Sequence, residues 1–270
     1  MYAGTTLSNG SGKHVGVHQK IDKIAYRSLF HFLSKKDHFP SIKDVIYFEG
    51  NNGPDGIKRK GGSAADEPWH FINPEDPMDG ALVDMISDHI FNLSQALKAH
   101  NSVRASFEAA WLAHAIVDGL TPAHHYPLGD KIEELWGKAH DERSNVKSKL
   151  VIKGSGLKDT IAKNWQYMGA DGVFTAHLMF EAGVASVVTE IRYKQLAIEN
   201  NNIVKLRENG FEAIFMDSVS NIYSLKMYDE FGKTGWTYDL AKKTKKVLLP
   251  EMVRMVTLAW YQAVIIARDL

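Results

Sequence analysis

An all-α architecture is what this sequence predicts, and two observations carry it. Apolar residues recur at helical spacing through most of the chain, and no alternating apolar–polar run of useful length marks a strand. At about 150 residues per domain, 270 residues have room for one large or two small domains. The lack of internal repeats and of any linker-like break points to one compact multi-helix domain over 1–270.

The elements follow in order. Ile21, Ile24, Ala25, Leu29, Phe30 and Leu33 place a first helix within 18–36, stopped before the Asp37-His38-Phe39-Pro40 turn. Residues 49–77 are rich in glycine and proline and lack a period, which predicts a long irregular loop; such loops inside compact domains usually serve function. Residues 79–100 and 102–120 form two amphipathic helices joined at Asn101-Ser102, with Pro122 closing the second. A polar, lysine-rich connection runs from about Pro127 to Lys163. Further helices are predicted over 173–197, 203–227 and 249–268, the last with Met252, Met255, Val256, Ala259, Trp260 and Val264 on one side.

Apolar residues make up 44% and charged residues 24%, an ordinary globular balance. Lys plus Arg equals Asp plus Glu at 32 each, so no basic field announces nucleic acid and no acidic field announces a cation buffer. The absence of cysteine removes thiolate zinc sites, disulfides and thiol nucleophiles, and any metal must sit on His, Asp and Glu. No stretch comes near the roughly 20 apolar residues of a membrane span. The opening MYAGTTLSNGSGKHVG lacks the basic and apolar regions of a signal peptide. The expectation is a soluble protein, cytoplasmic, or secreted if a leader was removed.

Twelve histidines are present, and their placement beside carboxylates is the informative feature. His114 and Asp118 stand four apart on a predicted helix and project from one face, and Pro122 lets His124 turn back toward it. Zinc accepts imidazole nitrogen and carboxylate oxygen at about 2 Å, so the group is competent to bind it. An isolated His-x3-Asp is more often a core histidine beside a helix-end carboxylate. His177 and Glu181 repeat the spacing on another helix, with His140 and Glu142 as competitor on a polar segment. Asp55 and His70 lie in the long loop, and His14 and His18 near the start.

In chain order, His18 opening a helix, Pro54-Asp55, Trp69-His70, His114-x3-Asp118-x5-His124 and His177-x3-Glu181, together with the closing MVTLAWYQAVIIARDL, resemble the zinc-dependent phospholipase C family and the related single-strand-specific zinc nucleases. The likeness runs over most of the chain, and the HxxxDxxxPxH element is its specific part. It implies the helical domain of that family and two or three zinc ions in one cleft. Asp55, His70 and His114 would hold one, Asp118 would bridge to a neighbour bound by His18, and His124, His177 and Glu181 would hold another. Asp55 would double as ligand and as proton acceptor for the attacking water, the catalytic role. Two features depart from the family. Its members bind one zinc through an N-terminal tryptophan, whereas no tryptophan precedes Trp69 here, which leaves three alternatives: that site is lost, uses His14 instead, or takes a different metal. The interval from His124 to His177 is also longer than in secreted phospholipases, so 127–163 reads as an insertion and His140 stays an alternative ligand.

The implied activity is zinc-dependent cleavage of a phosphodiester by an activated water, with a phospholipid at a membrane surface as the favoured substrate. Trp69, Phe71, Ile72 and Phe48 flank the ligand loop as a candidate apolar rim. A nuclease would instead use Lys58-Arg59-Lys60 and the run Lys242-Lys243-Thr244-Lys245-Lys246 to track a nucleic acid backbone. A third reading is a non-catalytic helical binding module stabilised by metal.

Overall fold

A computed structural model describes residues 16–59, 70–126, 133–137, 152–169, 172–190, 196 and 198–269. The architecture is all-α, and no strand occurs among the described residues. The helices are α1 (Val17–Leu29), α2 (Ile42–Tyr47), α3 (Pro54–Arg59), α4 (Ala81–Lys98), α5 (Ser102–Gly119), α6 (Leu157–Met168), α7 (Val173–Glu190), α8 (Asn200–Ser224), α9 (Met227–Thr234), α10 (Tyr238–Lys243) and α11 (Leu249–Asp269).

The core is organised by α5. Its N-terminus is capped by Asn101, whose Oδ1 accepts from the Arg104 amide at 3.0 Å, which satisfies one of the helix's orphan donors. Ala105, Ala109, Ala110 and Ala113 are buried, and their small side chains let neighbouring helices come close. α4 packs along α5, and α11 lies against both and against α1. The fully buried Trp260 of α11 donates its indole N–H to the Ala109 carbonyl at 2.9 Å, so the largest core side chain leaves no polar atom unsatisfied. Gly119 ends α5 where a Cβ would stand 2.7 Å from Leu82 and 2.8 Å from the Phe215 ring. Side chains from α4 and α8 therefore close directly over the end of the helix that carries His114 and Asp118.

A second, smaller apolar cluster joins Ile152 and Tyr167 to Phe71, Leu135, Trp136, Val173 and Phe174. It ties α6 to α7 and to Phe71, apart from the main core cluster.

Several sequence expectations are corrected. The first helix stops at Leu29 rather than near 36, because Ser34 and Asp37 form a local turn in which Asp37 accepts from the Ser34 amide at 2.5 Å. The loop 49–77 contains a 3₁₀ turn (Gly50–Asn52) and α3, which starts with Pro54 where proline's missing N–H costs nothing. α2 was not expected; it is short, and Ser41 caps it by accepting from the Asp44 amide. The connection expected to reach Lys163 gives way to α6 at Leu157, whose apolar residues face outward and so hide its period from a core-seeking reading. The rest of the expected insertion at 127–163 is described only at 133–137 and 152–156. α8 is broken at Gly210, where φ of 77° is a left-handed value that glycine tolerates. The expectation that no stretch is long and apolar enough to span a membrane is also corrected: Leu157–Thr189 meets that test by length and composition, and only 28% of its apolar window is buried.

Candidate metal centre

Asp118 sits at the centre. It is buried on the last turn of α5, and four imidazoles approach its carboxylate. His114, one turn earlier, places Nε2 3.3 Å from Oδ2. His18, from the start of α1, places Nε2 3.4 Å from Oδ1. His70 approaches Oδ2 through Nδ1 at 2.6 Å, and His124 Nδ1 lies 3.8 Å from Oδ1. The His18 and His114 rings are stacked, with centroids 4.0 Å apart and planes within 5°. Asp55, at the start of α3, brings Oδ1 to 3.9 Å from His114 Nε2 and keeps 23% of its side chain exposed, which puts it at the mouth of the group.

A second group lies beside the first. The 3₁₀ turn Pro122–His125 turns His124 back over α5; its amide donates to the Thr121 carbonyl at 2.8 Å. The His124 ring then donates Nδ1–H to the His70 carbonyl at 3.0 Å. A carbonyl only accepts, so in this contact Nδ1 carries the proton, which frees Nε2 for a cation shared with Glu181. Nε2 faces Glu181 Oε1 at 3.0 Å, and His177 Nε2 faces the same oxygen at 3.1 Å from one turn away on α7. The His124 and His177 rings stack at 5.0 Å with planes within 10°.

Two of these spacings fit a shared cation, whereas the 2.6 Å between His70 Nδ1 and Asp118 Oδ2 is a direct hydrogen bond. Two ligands each about 2.0–2.1 Å from a tetrahedral zinc stand roughly 3.3 Å apart. The His114–Asp118 and His18–Asp118 separations of 3.3 and 3.4 Å match that spacing and are long for charge-assisted hydrogen bonds. His114 Nε2 has no hydrogen-bond partner although it is buried, and neither has His177 Nδ1. Donor atoms converge within 4.8 Å in three groups: His18 with Glu49 and His114, His70 with His114 and Asp118, and His124 with His177 and Glu181. All donors are nitrogen or carboxylate oxygen, the set zinc takes when cysteine is absent.

The electrostatics differ between the groups. Burial pushes His114 down, but Glu49 and Asp118 overcome it and raise its pKa to about 10. Burial dominates at His124 and takes it to about 4, against the pull of Asp118. Burial would raise Asp118, yet the carboxyl lies well below its usual range with His124 and His114 among its positive neighbours.

The structure thus brings His18, Asp55, His70, His114, Asp118, His124, His177 and Glu181 together in two adjoining groups. His14, His140, Glu142 and Trp69 lie outside the described residues. Of the candidate rim, Phe71 packs on His124 at 5.3 Å and on His177 at 6.4 Å, whereas Ile72 is buried in the core and Phe48 packs edge-on against Phe107. The side chains of Lys58, Arg59 and Lys60 lie outside the described residues, and Lys243 is committed to Glu230 at 2.5 Å.

Two buried carboxylates were missed. Asp22 follows His18 by four residues, the same spacing as His114-x3-Asp118 and His177-x3-Glu181, so the pattern was there to find. Glu49, from the turn before α3, has no such signal and is brought to His114 only by the fold.

No protein-family model and no curated protein matches the chain. Among solved structures it is similar to the alpha-toxin of Clostridium perfringens from an avian strain, with a TM-score of 0.61 and 13% identity over 94% of this chain. The match spans 64% of the toxin chain, just under two thirds of its length. At that identity the likeness is one of fold: the chain shares its all-α architecture with the corresponding part of a bacterial toxin.

Proposed function

We propose that the protein is a zinc-dependent phosphodiester hydrolase acting in the manner of a phospholipase C. The observation that carries this reading is the ring of four imidazoles around the buried Asp118, with Asp55 at its mouth and a second histidine–glutamate group alongside. His70, His114 and Asp55 would hold one ion, Asp118 would bridge to a neighbour on His18, and His124, His177 and Glu181 would hold another. Zinc ions held there would neutralise phosphoryl oxygens and lower the pKa of a bound water to about 7. Asp118 fixes the separation of the donor groups. Asp55, half-way to solvent, is placed to take the proton of the attacking water. The His70 carbonyl keeps His124 in the tautomer that leaves Nε2 as the donor.

A lipid surface is the favoured substrate because of α6. Tyr167 on its inner side packs in the small cluster with Phe71, which touches His124 and His177. Its outer side exposes Leu157, Ile161, Trp165 and Met168, spaced to form one stripe, with Leu178 and Met179 exposed on α7. An exposed tryptophan within an apolar stripe suits the boundary between headgroups and acyl chains. The lysine run that a nuclease would use is partly consumed by the Lys243–Glu230 pair.

The test is metal analysis of the purified protein, then parallel assays on bis-p-nitrophenyl phosphate, phosphatidylcholine vesicles and single-stranded DNA. Zinc-dependent release of phosphocholine is the expected result. Cleavage of DNA alone would move the reading to a nuclease, and bound zinc without any hydrolysis would move it to a binding module.

A further inference from the structure

Behind the two stacked imidazoles lies a carboxylate. Glu49 is fully buried, and its Oε2 stands 3.3 Å from His114 Nδ1, the ring nitrogen opposite the one that faces Asp118 and Asp55. One nitrogen of His18 falls with Glu49 and His114 in a group whose atoms all lie within 4.8 Å. Because the His18 and His114 rings are stacked nearly parallel and both turn Nε2 toward Asp118, one carboxylate can support the pair. Asp22, one turn along α1 from His18, is also fully buried, and neither of its oxygens has a hydrogen-bond partner. Burial and the neighbouring Glu49 both raise its carboxyl well above the usual range.

The proximity of His18, Glu49 and His114 admits two roles for Glu49. It could be a ligand to an ion of its own, or it could orient ligands of the ions in front. The first role asks His114 to give Nδ1 to one ion and Nε2 to another, which requires the ring to lose both protons. The second asks only that Nδ1–H donate to the carboxylate, the usual arrangement behind a metal-bound imidazole, which fixes the ring and strengthens its donor nitrogen.

We infer that Glu49 is a positioning residue rather than a metal ligand: it accepts the Nδ1–H of His114 and, lying behind the stacked His18–His114 pair, keeps their Nε2 atoms toward Asp118. This inference rests on the metal-centre reading. It extends that reading to a residue behind the candidate ligands, which would touch neither substrate nor ion.

The experiment is zinc competition against a chromophoric chelator, with metal counts at saturation, on the full chain and its Glu49→Ala and Glu49→Gln variants. Glu49→Ala should weaken zinc binding by about 10- to 100-fold, the scale of losing a group behind a ligand, while the count at saturation equals that of the unsubstituted protein. Glu49→Gln keeps an acceptor of nearly the same size and should recover much of the loss; it also carries the test if the alanine variant fails to fold. Unchanged affinity in Glu49→Ala overturns the inference, as does the loss of one whole ion at saturation in either Glu49 variant, which would make Glu49 a ligand. An unsubstituted protein that binds no zinc would instead sink the metal-centre reading itself.

Discussion

The two halves of the candidate centre are built on different foundations. The Asp118 group stands on α5 and α1, both packed into the main core, and His18, His114 and Asp118 are sealed from solvent. The His124–His177–Glu181 group stands on a 3₁₀ turn and on α7, whose first turn packs into the small cluster with Phe71 and α6. Its His177 keeps 12% of its side chain exposed. The Asp118 group has its own opening to solvent at Asp55, whose side chain is 23% exposed, but its bridging carboxylate lies in the main core. The difference teaches that the same four-residue His–carboxylate spacing can serve a structural keystone on one helix and a peripheral site on another.

The largest effect should come from the keystone. Asp118→Asn should remove bound zinc from more than one position and lower phosphodiester hydrolysis on the order of 10²–10³-fold or more. Withdrawing one partner from a buried charged network costs about 3–5 kcal/mol, so the variant should also unfold earlier in urea. Retention of full metal and full activity would remove both the bridge and the comparison.

His177→Ala is the matching change in the other half. It should lower the zinc count by one ion while the melting temperature of the metal-free protein falls by no more than about 2–4 °C, the shift of roughly 1 kcal/mol in a domain of this size. A collapse as deep as that of Asp118→Asn would show the two halves to be equally structural.

Protonation separates the halves more finely. In the metal-free protein His114 titrates at about 10, above its ordinary 6.5, so its stabilising contribution is complete below pH 6.5 and is lost as pH rises toward 10. His124, lowered to about 4, behaves in the opposite sense: it destabilises the fold as pH falls from 6.5 toward 4, because the unfolded chain binds the proton first. Histidine resonances followed by NMR should therefore move in two separate windows, one near pH 10 and one near pH 4. Since zinc takes neutral imidazole, loading at pH 7 should release a proton from His114 and none from His124. Calorimetry in buffers of different ionisation enthalpy reads that release, and its disappearance in His114→Ala identifies the source.

The smallest expected effect lies at the solvent edge. Replacing Leu157, Ile161 and Trp165 of α6 with serine should leave zinc content and melting temperature unchanged, because all three are exposed, and weaken binding to phosphatidylcholine vesicles several-fold. Unchanged vesicle binding would detach α6 from the proposed lipid contact while leaving the metal centre intact.

By itself the sequence determined the helical class and the long core helices α4, α5 and α11, because their apolar faces repeat over many turns and, for α5, Asn101 supplies a local cap. It also determined the pairs His114–Asp118 and His177–Glu181, since four residues is one helical turn wherever a helix forms. Short helices such as α2 and α3 escaped because two turns carry too little period to read. α6 escaped because its apolar stripe faces outward. Only the tertiary structure decided that His18, His70 and His124 meet on one carboxylate, and that Glu49 lies behind His114 across 65 positions of chain. Those meetings depend on how helices pack, and packing angles are set by the whole core rather than by any local run of residues.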